Sequence, residues 1–114
     1  DNKPKVTIVI PCYNSEKWIE QSVRTALDQD YGNVEVIFVD NESTDSSVDI
    51  VSKIQSDKLI MSSAPNIYPH SWTEPVDEAL SISTGEYFTI LGSDDYIASD
   101  YITKNMHIIL NHYW

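Results

Sequence analysis

Residues 5–11 (KVTIVIP) are β-branched and apolar on both faces, and residues 34–39 (VEVIFV) read as a second strand. A strand with one solvated side alternates apolar and polar residues, whereas a strand buried on both sides reads as a near-continuous apolar run. Such strands belong to a parallel sheet covered by helices, and parallel neighbours need a crossover of about a dozen residues or more. The segment between them supplies it. Trp18, Ile19, Val23, Ala26 and Leu27 recur at helical spacing over 16–29, with Ser15 as the expected cap and Gly32 at the exit.

The alternation continues to the end of the chain. A second helix is expected at about 45–56, with Val48, Val51 and Ile54 on one face, and a weaker third strand at 58–62. Residues 63–72 read as a loop containing Pro65, Asn66 and Pro69. A third helix is expected over 74–83, capped by Thr73, with Pro75 tolerated in its first turn and Gly85 ending it. A fourth strand follows at 86–91. A fourth helix begins near Ser99 and carries Ile102, Met106, Ile109, Leu110 and Tyr113 on its apolar face.

This pattern predicts one α/β domain over residues 1–114, a Rossmann-like three-layer sandwich with a mainly parallel sheet and right-handed crossovers. The expected strand order is 3-2-1-4. The reversal then falls between strands 1 and 4 and places a ligand crevice at their carboxyl ends. The last helix reaches Trp114 with no stop signal. Its apolar face is expected to meet a neighbour, which reads as truncation within a larger domain and offers a contact for an oligomer. No stretch approaches the ~20 apolar residues of a membrane span, and the N-terminus carries no signal-peptide pattern. The expected location is cytoplasmic.

Three loops follow strands 1, 2 and 4: Pro11-Cys12-Tyr13-Asn14, Asp40-Asn41-Glu42-Ser43-Thr44-Asp45, and Gly92-Ser93-Asp94-Asp95. In the expected sheet they open on one edge, so several carboxylates converge there. Like charges at 4 Å repel by about 4 kcal/mol at an effective dielectric near 20. Such a group needs a cation, a proton or hydrogen-bond donors. Oxygen ligands favour Mg²⁺ or Mn²⁺ over zinc, and Mg²⁺ is usually held by one or two carboxylates plus substrate phosphates. The net charge of −11, from 18 acidic and 7 basic residues, argues against nucleic acid as a partner.

The residues in these loops resemble those of family 2 glycosyltransferases, which have the nucleotide-sugar-binding GT-A fold. Thr7-Ile8-Val9-Ile10-Pro11-Cys12-Tyr13-Asn14 is similar to the family's opening strand and loop, and Val39-Asp40-Asn41-Glu42-Ser43-Thr44-Asp45 to its acidic loop after the second strand. Thr84-Gly85-Glu86-Tyr87 followed by Ser93-Asp94-Asp95 is similar to the strand that leads to its metal-binding Asp-x-Asp region. The resemblance covers nearly the whole chain but only about the first half of the family's catalytic domain, the donor-binding half. It implies that Pro11 and Tyr13 line a nucleobase pocket, with the tyrosine stacked on the base. Asp40 and Asn41 would hydrogen-bond base or ribose. Asp94 would reach ribose or metal, and Asp95 would ligate the metal directly, Mg²⁺ or Mn²⁺.

The implied reaction transfers a sugar, with inversion, from a nucleotide-diphosphate sugar (a UDP-sugar first) to a saccharide or lipid-linked acceptor. The catalytic base would lie beyond Trp114, leaving these 114 residues alone inactive, and association with the inner membrane face would come through that same part. The chain departs from the family where Asn41 stands for a frequent Asp, Glu42 for a frequent Gly, and Gly92 for the first Asp of the motif. Residues 72–77 (WTEPVD) also lack the family's frequent arginine.

Other readings stand beside these. A receiver-type phosphoacceptor domain shares the length and the acidic strand ends, but it places its acidic pair after strand 1 and a lysine after a fifth strand. A non-catalytic nucleotide-binding module is the third alternative. Among single residues, Asp40 can cap its own turn, and Asp94 and Asp95 can be solvated loop residues. Cys12 reads as a small buried side chain. His107 and His112 are five apart on the last helix and share no face as a metal pair would, and His70 sits in a loop with no assigned role. Trp18 and Trp72 are expected in core or loop packing.

Overall fold

The computed structural model describes residues 3–67 and 72–113, with side chains through residue 108. His70, Pro69 and Trp114, and the side chains of Ile109, Leu110, His112 and Tyr113, therefore lie outside the described residues. The chain alternates β1 (Val6–Cys12), α1 (Ile19–Leu27), β2 (Val34–Asp40), α2 (Ser47–Ser52), β3 (Leu59–Ser63), α3 (Thr73–Ile82), β4 (Tyr87–Ile90) and α4 (Tyr101–Tyr113). The strands form a four-stranded sheet in the order β3-β2-β1-β4. Every strand pair is parallel, and the register aligns Cys12, Asp40 and Ser63 in one row at the carboxyl edge.

The two central strands are buried at every position. Their alternate residues feed two cores. Ile8, Ile10, Val36 and Phe38 face α1, α2 and α4, where Ile19, Val23, Ala26, Val51, Ile102 and Met106 meet them. Val9, Ile37 and Val39 face α3 through Ala79. Both faces of β1 and β2 are thereby removed from water, which is why neither strand alternates in sequence. Ile102 and Met106 of α4 are covered by this chain's own core, so that part of the helix's apolar face needs no outside neighbour.

The helix ends differ from the expected signals. Ser15 does not cap α1 with its hydroxyl; its carbonyl accepts from Trp18 N–H and Ile19 N–H, and the helix starts at Ile19. α2 is only six residues long, and Val48 faces solvent while Val51 alone of the expected stripe is buried within the helix. The Asp45 carboxylate holds the entry by accepting from Ser47 N–H and Oγ. Tighter i→i−3 bonds, from Lys53 N–H to Ile50 and from Ile54 N–H to Val51, close the exit. α4 starts at Tyr101 rather than near Ser99, and the buried Gln29 Oε1 accepts Ile102 N–H at 2.9 Å near its entry.

Gly85 does not end α3, which stops at Ile82 with an extended Ser83. A Cβ at residue 85 would lie 2.3 Å from Thr7 Oγ1 and 2.8 Å from Thr7 N, so the glycine is needed where the chain entering β4 touches β1. That contact belongs to a polar cluster at the amino end of the sheet. Glu35 on β2 accepts from Thr7 Oγ1 at 2.6 Å, Thr84 N–H at 2.7 Å and Thr84 Oγ1 at 2.9 Å, with Lys5 Nζ at 3.4 Å.

Candidate functional site

The strand order turns back between β1 and β4, and a cleft of about 360 Å³ opens at their carboxyl ends. Pro11, Tyr13, Asn14 and Ser15 line it from the β1 loop, Asn41 from the β2 loop, and Ser93 and Asp94 from the β4 loop. Among the described residues that line it there is no Lys, Arg or His.

The loops are tied to each other by hydrogen bonds. Asn14 takes a left-handed backbone, φ 49°, which Asn tolerates better than most residues. Its Oδ1 then accepts Thr44 N–H at 2.7 Å, and its own N–H donates to Ser43 Oγ at 2.9 Å. Glu16 N–H donates to Asp45 Oδ2 and Ser46 N–H to Glu16 Oε1. Burial alone would raise the Asp45 carboxyl, but the donors Ser47 Oγ, Ser47 N–H and Glu16 N–H outweigh it and hold the group below the usual carboxylate range. The β4 loop is anchored from α1 and the β1 loop. Ser22 Oγ donates to the Gly92 carbonyl at 3.1 Å, and the Ser15 and Ser93 hydroxyls are 2.5 Å apart.

The structure brings four of the six sequence-predicted residues to the cleft wall: Pro11, Tyr13, Asn41 and Asp94. Tyr13 is 43% exposed and free to meet a flat ligand, while Pro11 is buried and fixes the strand end. Asn41 is only 4% exposed, and its Oδ1 has no hydrogen-bond partner. Asp40 stands behind the wall. Its Oδ2 accepts Ser43 N–H, as a turn cap does, but its buried Oδ1 is also unpartnered. A buried acceptor without a donor costs about 1–3 kcal/mol, and these two oxygens are left with unmet hydrogen-bonding capacity.

Asp94 and Asp95 are exposed, as solvated loop residues would be, yet both carboxylates fold back on one point. A Cβ at residue 92 would lie 2.8 Å from Asp95 Oδ2 and 3.2 Å from Asp94 Oδ1. Gly92, which stands where the family often has an Asp, leaves room for that convergence. Asp95 itself does not line the cleft; its carboxylate sits against Gly92. Among the described residues no group of three His, Cys, Asp or Glu side chains could hold a metal. Two carboxylates at a tight turn suit a hard divalent cation that draws its other ligands from substrate phosphates and water.

Three further side chains reach the cleft. Trp18 and Trp72, expected in core or loop packing, are 50% and 49% exposed and line the cleft wall. Cys12 is buried as expected, and burial pushes its thiol up, aided by the nearby Asp40 charge against the hydrogen bonds of Ser47 and Ser43. It stays protonated and unreactive at neutral pH.

Known proteins are similar to this chain in sequence and in fold. The chain is 36% identical over 104 residues to the Escherichia coli UDP-Glc:alpha-D-GlcNAc-diphosphoundecaprenol beta-1,3-glucosyltransferase WfaP, covering 91% of this chain and 41% of WfaP. An uncharacterized glycosyltransferase of Haemophilus influenzae is 32% identical over 98% of this chain and 45% of its own length. The chain thus spans less than half the length of these curated relatives. The crystal structure of S. aureus TarS 1-349 in complex with UDP-GlcNAc superposes with a TM-score of 0.77 at 31% identity, over 95% of this chain and 32% of the TarS 1-349 chain. The mannosyltransferase PcManGT from Pyrobaculum calidifontis, in complex with GDP-Man and Mn²⁺, gives 0.75 at 28% identity over 88% of this chain and 30% of PcManGT. The receiver-type reading gains no support from these likenesses. The model for Glycosyl transferase family 2 matches residues 7–112, a span that runs through all three cleft loops, and the chain belongs to that family.

Proposed function

We propose that this chain forms the donor-binding part of a glycosyltransferase that takes a sugar from a nucleotide-diphosphate sugar. The observation that carries this reading is the composition of the cleft at the β1–β4 reversal. It offers an exposed tyrosine, two unpartnered buried acceptors on or just behind its wall, a carboxylate turn at one side, and no basic side chain among the described lining residues. A base and ribose suit the first two. A diphosphate suits the carboxylate turn only if a cation stands between them.

Asp94 and Asp95 would hold that cation, Mg²⁺ or Mn²⁺, and PcManGT with its Mn²⁺ supports the choice. When bound, such a metal stabilises the negative charge of a departing diphosphate. The chain's own residues orient the donor. Tyr13 stacks on the base, with Pro11 setting the loop that carries it. Asn41 and Asp40 accept N–H or O–H groups of base or ribose, and the Ser22 and Ser15 hydroxyls hold the 92–95 turn in place. The acceptor is a saccharide or a lipid-linked saccharide, supported by WfaP, whose name specifies a diphosphoundecaprenol-linked one. Among the described residues no helix is long and apolar enough to cross a membrane.

Calorimetric titration with UDP and GDP, with and without Mn²⁺, tests the reading. UDP is expected to bind with metal and to lose at least tenfold in affinity without it, a difference of about 1.4 kcal/mol. Asp94→Asn and Asp95→Ala should each abolish that metal dependence. Unchanged Mn²⁺-dependent binding by Asp95→Ala would remove Asp95 from the metal site, and no nucleotide binding under any condition would sink the donor reading.

A further inference from the structure

We infer that Trp72 is a stacking platform for the sugar ring of the donor, a role that rests on the donor-site reading above. Trp72 flanks the start of α3 and Trp18 flanks the start of α1. These helices cover opposite faces of the sheet, because α1 supplies the core around Ile8 and Phe38 while α3 supplies the core around Val9 and Ile37. One indole therefore reaches the cleft from each layer, and both remain about half exposed.

Large aromatic side chains gain most by burial, and an indole left half in water at a cleft wall is positioned to cover a flat apolar surface. Among the described residues no Lys, Arg or His lines this cleft, and none of those lining it places a cation on either ring. Among the described residues the cleft has three exposed aromatic walls, Tyr13, Trp18 and Trp72. A nucleobase has two faces. Tyr13 and Trp18 stand on the same connection, five residues apart between β1 and α1, and can serve the base between them. Trp72 arrives from the other layer and is left for a second ring. In a nucleotide-diphosphate sugar that ring is the pyranose, whose C–H face stacks on aromatic surfaces as a base does. Because the sugar makes this contact and the nucleotide does not, Trp72 is a specificity-determining residue for the donor's carbohydrate end.

The test compares UDP with UDP-glucose and UDP-N-acetylglucosamine, each with Mn²⁺, by calorimetry on the wild-type chain and on Trp72→Ala and Trp72→Phe. The wild-type chain is expected to bind at least one UDP-sugar more tightly than UDP. Trp72→Ala should remove that advantage, a loss on the order of tenfold, leave UDP affinity unchanged, and be rescued in part by Trp72→Phe. Quenching of tryptophan fluorescence by the UDP-sugar, beyond that by UDP, should vanish in Trp72→Phe. Equal loss of UDP and UDP-sugar in Trp72→Ala would place the indole on the base and overturn the inference, as would no loss of either. Wild-type UDP binding with no further gain from either sugar would overturn it while leaving the donor site intact. Absence of wild-type binding to every nucleotide would refute the donor site and the platform together.

Discussion

Glu42 holds a backbone angle that most side chains avoid. Its φ is 61°, in the left-handed region where glycine is at ease and other residues carry a cost of about 1 kcal/mol or more. The family's frequent glycine at this position has a physical reason, since the loop after β2 must turn there. This chain keeps a glutamate because its Oε1 accepts Asn66 N–H at 2.7 Å, tying the β2 loop to the segment after β3. Relief of backbone strain and loss of a hydrogen bond are comparable in size, each about 1 kcal/mol. Glu42→Gly is therefore expected to change stability by less than about 1 kcal/mol. Glu42→Val keeps the strained angle, adds a β-branch and loses the bond, and should cost about 2–3 kcal/mol. Urea denaturation of the two variants checks this, and equal destabilisation by both would show that the loop does not depend on φ at residue 42.

At the scale of elements, β4 is fastened to the rest of the sheet at its amino end by Glu35. This carboxylate is 5% exposed. Burial alone would raise its pKa, but the Thr7 hydroxyl, the Thr84 N–H and hydroxyl, and the Lys5 ammonium together bring it down from 4.5 to about 2. A carboxyl lowered in the folded state stabilises the fold fully above its unfolded pKa and loses that contribution as pH falls through the folded value. The window is thus pH 4.5 down to about 2, and a shift of this size corresponds to something on the order of 3 kcal/mol. Glu35→Gln should flatten the pH dependence of stability in that window. At pH 7 it should cost about 2–3 kcal/mol, because the amide N–H₂ then takes the place of Oε1 and faces the Lys5 ammonium and the Thr84 hydroxyl. Urea midpoints between pH 2.5 and 7 measure both, and an unchanged acid limb in the variant would reject the assignment.

Glu35 also shows what pattern reading can and cannot reach. The strands were legible because burial on two faces leaves a continuous apolar run, and the expected order 3-2-1-4 is the one common to doubly wound α/β sheets. The acidic turn at 92–95 was legible because two carboxylates at the end of an apolar run have no place in a core. A lone charge in VEVIFV announces only that something must satisfy it, and its partners, Thr7 and Thr84, are 28 and 49 residues away. Trp18 fits a helical stripe in sequence, yet α1 starts one residue later, so the indole falls off the buried face. Val48 was misread for a related reason, since a helix of six residues cannot present the longer stripe that Val48, Val51 and Ile54 suggested.

For the whole molecule, the cleft and the fold are one structure. The loops after β1, β2 and β4 share hydrogen bonds from Thr44 N–H to Asn14 Oδ1 and between the Ser15 and Ser93 hydroxyls, so they are ordered only when the sheet has brought three strand ends together. A ligand that bridges those loops binds the folded state and has no counterpart site in the unfolded chain. Linkage then adds about 2.7 kcal/mol of stability when the free ligand is at 100 times its Kd. For a domain of this size that raises the melting temperature by roughly 10 °C. UDP with Mn²⁺ should produce this rise in scanning calorimetry, while UDP with a chelator should produce little of it. Asp94 is exposed and makes no contact that the core depends on, so Asp94→Asn should melt within a few degrees of the wild-type chain when ligand-free. It should then gain nothing from Mn²⁺ and UDP together. A full rise in the chelated sample would mean that the diphosphate is held without a metal, and the converging carboxylates at Gly92 would need another explanation.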